Sequence, residues 1–514
     1  MNEAISMELS LRMKKILFVF LLICFTYSIF EVCAGTRVVR LSIIQTTDLH
    51  GNLKAMACLA DVLGKMRQQW QDRFLYIDCG DSLQGSVEAA VTKGALPAKG
   101  LTLLKPDIWV TGNHDLDFGV NHLQGLLKRY RLPALAGNLT LNGQALPGTR
   151  IIERAGIRIG IIGITTPYLH HWLLGRQYNG LQVQPGMKIL NDQLLRLQQA
   201  RPHLIILAAH QGYLPWKQRL PDELPEIIRR FPQIDLVFGG HTHEIVGGKL
   251  LENGCYYVQA GAHGKGYAEV IVELKLQDDK REELHIQSRF VDLKTVTPSE
   301  TFYTKLGRMY RDAIHFARQP VTFLDQDIEP KGIPGKDNPI SEILARAIAY
   351  VSGADIVFHG TLSSAILRKG CVREDDLFRI VPFENGIVVA ALRKEDIRMI
   401  LEEQLQYGAR MNGIWGVEAR IDSTGKRVTG LKMAVKKERY RVAFNSYVAA
   451  GGGDRYPVLR RILQNKEAHL QELEGMDTRS ALRRYLRERY DWAKPPTCWL
   501  REVKETYKEA VPAK

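Results

Sequence analysis

Five short apolar runs in the first half of the chain end in the same way, and that repetition constrains the fold more than any other feature. Val38–Gln45 runs into Thr47-Asp48-Leu49-His50, Phe74–Ile77 into Asp78-Cys79-Gly80-Asp81, and Ile108–Val110 into Gly112-Asn113-His114-Asp115. Leu204–Ala209 ends at His210-Gln211-Gly212, and Ile234–Phe238 at Gly239-Gly240-His241-Thr242-His243. With a further run at Arg158–Ile164, apolar stretches alternate with amphipathic ones and turn residues from Arg37 to about Leu293. The pattern predicts layered strands and helices, an α/β sandwich. Strand ends on one edge of an α/β sheet are where ligand sites assemble, so the five loops are expected to converge.

Converging carboxylate, carboxamide and imidazole groups make a metal cage. The mixture suits Mn, Zn, Fe or Co better than the all-oxygen shells typical of Ca. A lone Asp or His in a loop is more often a cap or turn residue than a ligand. Five such loops in this order outweigh that reading, and the glycines of GNHD and GGHTH let the backbone turn so that adjacent side chains reach one ion.

At 514 residues the chain is too long for one hydrophobic core, which predicts two domains. Thr297-Pro298-Ser299-Glu300 opens a helical pattern that runs to about Arg318 with Ser299 as N-cap, and Lys331–Gly335 marks a second loop. The boundary therefore falls across residues 295–330, a linker between a domain at 36–294 and another at 331–514. From Asn465 onward the chain is rich in both charges, which reads as a solvated helical tail, with Asp477-Thr478-Arg479-Ser480 capping its last helix.

Met13-Lys14-Lys15 followed by the apolar run Ile16–Phe30 and Val32-Cys33-Ala34 reads as a secretory signal peptide over residues 1–34. Export to a periplasm or the extracellular space is expected. Phe30-Glu31-Val32 before Cys33 makes lipid anchoring the weaker option. No apolar stretch of about 18 residues occurs beyond the leader, so no membrane span is expected. Five cysteines follow it, Cys58, Cys79, Cys255, Cys371 and Cys498, enough for one disulfide but not for a framework. Cys79 is expected to be a buried structural residue.

Lys and Arg exceed Asp and Glu by 14, which favours anionic partners. No compact basic block, zinc-finger spacing or aromatic-basic RNA motif is present, so phosphorylated small molecules or an anionic surface fit better than a nucleic acid polymer.

The ordered set DxH, GD, GNHD, H and GHxH resembles that of the calcineurin-like metallophosphoesterases. The resemblance implies two divalent ions, one held by Asp48, His50 and His243, the other by Asn113, His210 and His241, with Asp81 bridging both. Two ions about 3.5–4 Å apart would activate a water and clamp phosphate oxygens for in-line attack on phosphorus. His114 would contact the phosphoryl group and assist the leaving oxygen, and Asp117 would orient it, unless Asp117 or Asp115 instead caps the following helix.

Later segments narrow the resemblance. Val258–Lys265 resembles the QAGxxGK segment of the 5′-nucleotidase and UDP-sugar hydrolase family, Val381–Asn385 its PFxN segment, and Asn445–Tyr456 its NxF(L/V)AxGGDG(Y/F). The family implies a four-layer α/β sandwich metallophosphoesterase domain followed by an α+β substrate-binding domain. Phe383 and Tyr447 would sandwich a nucleobase, and Asp454 would contact the nucleoside. His263 reads as a loop residue.

Three departures touch that pocket. His359–Ser364 stands where the family has NxGGIR, so its Asn and Arg are missing and Arg368 is the candidate substitute. Gly451-Gly452-Gly453 carries an inserted glycine, and Arg455 replaces a glycine. The expected activity is an exported 5′-nucleotidase-like phosphohydrolase of small nucleotides. The alternatives are 2′,3′-cyclic nucleotides, UDP-sugars, a thiosulfohydrolase-type substrate, or a non-catalytic surface binding protein.

Overall fold

A computed structural model describes residues 35–214, 223–488 and 499–502. The expected leader at residues 1–34, Cys498 and the end of the tail lie outside the described residues.

Alternation of apolar residues along Arg37–Thr46 sends Ile43 to one face and Ile44 to the other, and each face finds its own core. Arg37–Thr46 pairs in parallel with Phe74–Asp78, which pairs in parallel with Ile108–Trp109. The antiparallel strands Gly266–Gln277 and Lys280–Asp292 complete a five-stranded sheet. A six-stranded sheet places Ile157–Thr165, Leu204–His210, Leu236–Phe238 and Tyr256–Ala260 in parallel.

The two sheets pack face to face through Leu41, Ile43, Leu75 and Ile77 on one side and Ile159, Ile161, Ile206 and Phe238 on the other. Helices Leu53–Trp70, Ala95–Leu104 and Val120–Tyr130 cover the first sheet, and Gly186–Gln199 and Leu224–Arg230 the second. Four layers result, as expected. Each fully buried Leu or Ile in these cores contributes roughly 1.5–3 kcal/mol.

The second half is α+β. A five-stranded sheet runs Gly413–Trp415, Ile356–His359, Tyr440–Asn445, Gly386–Leu392, Gln471–Asp477. Helices Pro339–Ser352 and Thr478–Glu488 pack on one face, Lys394–Leu405 and Pro457–Gln464 on the other.

Two expectations change here. Ser299 does cap the connecting helix, but Gly307 at φ +69° breaks it into Glu300–Leu306 and Arg308–Ala317. Phe302, Leu306 and Ala313 join the first domain's core, whereas Pro320–Leu324 pairs with Gly370–Arg373 of the second. Arg318-Gln319 joins these two segments.

The described part of the tail is not a solvated helix. Gln471–Asp477 is an edge strand, and Ala481, Leu482, Tyr485 and Leu486 of the following helix are buried. Charges on its outer face concealed an apolar stripe. Asp477 Oδ1 accepts from Ser480 N at 2.7 Å, the expected cap.

Cys58, Cys79, Cys255 and Cys371 are unpaired. Cys79 is fully buried, and burial pushes its thiol well above the ordinary range. Among the described residues no helix is long and apolar enough to cross a membrane.

Candidate metal centre and substrate cleft

Parallel pairing brings the ends of the first two strands together, Thr46 opposite Asp78, and the pairing continues into the loops. Asp48 N donates to Gly80 O and His50 N to Asp81 O, each at 2.8 Å. Gly112 permits the close approach of the third loop, since a Cβ there would lie 2.1 Å from Asp81 Oδ1. In the second sheet Thr165 pairs with His210, and Gly240 lets the loop after Phe238 approach the first loop, since a Cβ there would collide with Thr47 Oγ1. There His241 N donates to Asp48 Oδ2 at 3.0 Å.

The loops are held in an uncommon backbone state. Asp48, His50, Asp81, His241 and His243 all have φ between 49° and 71°. Sparsely populated conformations cost on the order of 1–3 kcal/mol each and concentrate at functional sites.

All seven candidate ligands meet. His50 Nε2 lies 3.1 Å from His243 Nε2, and His243 Nε2 lies 3.4 Å from Asp48 Oδ1. His210 Nε2 lies 3.1 Å from Asn113 Oδ1 and 3.2 Å from Asp81 Oδ2. Asp48, His50 and Asp81 form one cluster of potential ligand atoms, and Asp81, His210 and His241 another, so Asp81 belongs to both.

The donor chemistry fits two divalent cations. His50 Nδ1 can donate to Gln84 O at 3.2 Å and His210 Nδ1 to Cys79 O at 2.7 Å, and those tautomers turn both Nε2 lone pairs into the centre. Buried Asp48 Oδ1 has no hydrogen-bond partner. Burial above all holds the His50 and His241 imidazoles down to about 3, neutral as ligands must be. Burial alone would lower His210 too, but Asp81 draws it up to about 10, so an arriving cation displaces a proton there.

His114 sits beside this cluster and is not among its ligands. Its Nδ1 lies 3.0 Å from Asp117 Oδ2. Helix Val120–Tyr130 starts at Gly119 without a side-chain cap, so Asp117 serves His114 rather than the helix. Burial alone would lower the His114 imidazole, but the Asp117 and Asp81 carboxylates outweigh it and draw it up to about 9. Asp115 is no cap either. Its carboxylate accepts from the backbone N–H of Asp81, Ser82, Leu83 and Gly112 at 2.8–3.0 Å.

A cleft of about 840 Å³ runs from Asp81, Asn113, His114 and Asp117 to Phe383, Tyr447 and Asp454 of the second domain. Phe383 stacks on His114, with ring centroids 5.7 Å apart and planes 22° apart. Tyr447 faces Arg455, whose Nη2 donates to its Oη at 3.1 Å. Asp454 holds φ +65° within a run of positive φ that begins at Gly451, which accounts for the glycines there.

Arg368 is elsewhere. Leu367 forms a bridge with Ile328, and Arg368 is thereby turned to Asp327, its Nη1 2.7 Å from Oδ2 at the exposed surface. Among the described residues, the arginines that line the cleft are Arg410 and Arg455. Arg455 was visible as a departure from the family glycine, but Arg410 carried no signal. Nor did Trp172, which meets His241 edge-on at 4.9 Å and carries the cleft wall across to Gly453.

Buried Arg479 braces the Phe383 loop. Its guanidinium donates to Val381 O at 2.9 Å, Phe383 O at 3.1 Å and Glu384 Oε1 at 3.0 Å. Arg479→Lys, which keeps the charge and loses the fork, is expected to raise KM for a nucleotide roughly tenfold. Turnover of p-nitrophenyl phosphate, which has no base, should stay unchanged. Equal loss on both substrates would contradict a role confined to positioning Phe383.

Residues 41–244 match the family model described as calcineurin-like phosphoesterase, and residues 320–461 that described as 5′-nucleotidase, C-terminal domain. A Treponema pallidum protein assigned as a 5′-nucleotidase is 23% identical over 83% of this chain and 86% of its own. The mouse 5′-nucleotidase is 26% identical over 84% of this chain and 86% of its own. Among solved structures, a Staphylococcus aureus protein assigned as a 5′-nucleotidase superposes with a TM-score of 0.77 at 19% identity. That match covers 91% of this chain and all of the other, and shows the shared two-domain fold.

Proposed function

The chain belongs to the 5′-nucleotidase family and is a phosphoesterase, and from that premise we propose that it is an exported two-metal hydrolase of nucleotide phosphoesters. The observation that carries the reading is the single cleft joining the Asp/His cluster to Phe383 and Tyr447. Phosphate and base can be held at opposite ends of one cavity.

Asp48, His50 and His243 would hold one ion and Asn113, His210 and His241 the other, with Asp81 shared. When bound, divalent Mn, Zn, Fe or Co supplies Lewis-acid polarisation of the phosphoryl group and a nucleophile at neutral pH. Asp81 Oδ1 accepts from His114 N at 2.7 Å, so the shared carboxylate also fixes the neighbouring acid. Protonated His114, held through Nδ1 by Asp117, presents Nε2 to a phosphoryl or leaving oxygen. Trp172 and Phe383 line the cleft at that end, against His241 and His114.

Asp117→Asn tests the acid. His114 is protonated below about 9 because Asp117 and Asp81 overcome burial. Without the Asp117 charge its value falls, so the alkaline limb of kcat is expected to move down by at least about one pH unit, about 1.4 kcal/mol. An unmoved alkaline limb would exclude His114 as the acid.

The substrate is tested by hydrolysis with metal-stripped, then Mn-loaded protein, read as phosphate from AMP, glucose 1-phosphate from UDP-glucose, ring-opened AMP from 2′,3′-cyclic AMP and p-nitrophenol from bis-p-nitrophenyl phosphate. Turnover of AMP supports the nucleotidase. A second reading, the same centre with a sugar-nucleotide, cyclic-nucleotide or thiosulfohydrolase-type substrate, is favoured by Arg455 lying against Tyr447 where a base would stack. Turnover of UDP-glucose or 2′,3′-cyclic AMP without AMP would support its sugar- or cyclic-nucleotide form, and turnover of the generic diester alone a substrate outside the nucleotides. Export rests on the leader-like residues 1–34 and is tested by N-terminal sequencing of protein recovered outside the cytoplasm.

A further inference from the structure

The strand Tyr256–Ala260 runs parallel to Leu236–Phe238 and ends on the same sheet edge as the other ligand loops. Its loop turns back over the Asp48–His50 loop. His263 N donates to Asp48 O at 2.7 Å, and Asn52 Nδ2 donates to His263 O at 2.8 Å. Gly264 allows this approach, since a Cβ there would lie 2.1 Å from Ala55 Cβ. His263 itself is held at φ +55°, the left-handed state shared by five of the seven candidate ligands.

Its ring packs against two of them, stacked on His50 and edge-on to His243. The His263 and His50 centroids are 4.7 Å apart, and those of His263 and His243 are 5.3 Å apart. One nitrogen from each of His50, His243 and His263 lies within 4.8 Å of the others. A small cavity of about 260 Å³, separate from the substrate cleft, is lined by His50 and His263 together with Glu88 and Tyr303.

We infer that His263 is a further ligand of the ion held by Asp48, His50 and His243, an inference that rests on the two-metal reading above. With Asp81 common to both, three imidazoles and Asp48 make this position richer in nitrogen than its neighbour, which has two imidazoles and a carboxamide. Imidazole favours Zn or Fe over Mn, so the two positions differ in metal preference.

The test uses the metal-stripped protein titrated with Zn(II) and then with Mn(II), read as equivalents bound and their affinities. His263→Gly is the variant of choice, because glycine keeps the positive φ without strain. Wild-type protein should bind two equivalents of Zn. In His263→Gly one equivalent should weaken by about tenfold or more, with a smaller loss for Mn, and free imidazole should restore it. An unchanged melting temperature of the metal-free variant separates ligand loss from unfolding. A variant that binds both equivalents as the wild type does, or whose loss imidazole leaves uncorrected, overturns the inference. Wild-type protein that binds fewer than two ions would instead overturn the two-metal reading beneath it.

Discussion

Asp81→Asn is expected to lower kcat on every phosphoester by about 10³-fold or more, about 4 kcal/mol of barrier. Asparagine tolerates the φ of +53° at this position, so the change removes charge with little backbone cost. Oδ2 faces His210 at 3.2 Å and Oδ1 accepts from His114 N at 2.7 Å. One substitution therefore weakens both cation positions while leaving the acid nearly in place. Phe383→Ala removes only the stacking ring and should chiefly raise KM for nucleotides, with p-nitrophenyl phosphate turned over as before. Steady-state kinetics on both substrates check the contrast. Equal losses in the two variants would contradict a division of labour between the domains.

The largest effect on stability is expected at Asp115. Its carboxylate is the acceptor for four backbone N–H groups from two ligand loops, all buried. Asp115→Ala strands those donors away from water at roughly 1–3 kcal/mol each, about 4 kcal/mol or more together. That is a large share of the roughly 5–15 kcal/mol by which a domain is folded. Thermal unfolding monitored by circular dichroism should show a marked drop, and metal-free protein should show it too, because the donors are unsatisfied with or without ions. Asp117→Ala is the control, since it loses the His114 contact but strands no such set of backbone donors. A drop confined to the metal-loaded protein would mean that Asp115 acts only through the metal centre.

The Asp/His cluster was legible because its residues sit at strand ends, and parallel pairing carries strand ends to one edge whatever the intervening sequence does. Thr46 opposite Asp78 and Thr165 opposite His210 are what the apolar runs require. His263 lay on the same edge but read as a loop residue, because it fills a variable place in the Val258–Lys265 segment, which points to no ion. Asp115 was legible as a carboxylate and not as a clamp, since its partners are backbone groups that any sequence possesses. The second domain was harder. Family-like segments marked Phe383, Tyr447 and Asp454, all of which line the cleft, but the choice of Arg368 failed because side-chain direction there depends on the bridge between Leu367 and Ile328. Arg410 and Trp172 reach the cleft through tertiary packing alone. The charged tail was misread for a related reason: charge on one helical face says little about the face turned to the core.

The brace that Arg479 puts on the Phe383 loop has a consequence for the order in which the protein becomes functional. His263 is the last residue of the Asp/His cluster to leave the ribosome, yet Phe383 waits for a partner 96 residues further along the chain. A nascent polypeptide can thus assemble its hydrolytic centre while the loop that grips the substrate is still unsupported. A message truncated before residue 479, or a proteolytic cut in the exposed strand Gln471–Asp477, would leave a product that retains the chemistry and has lost its discrimination.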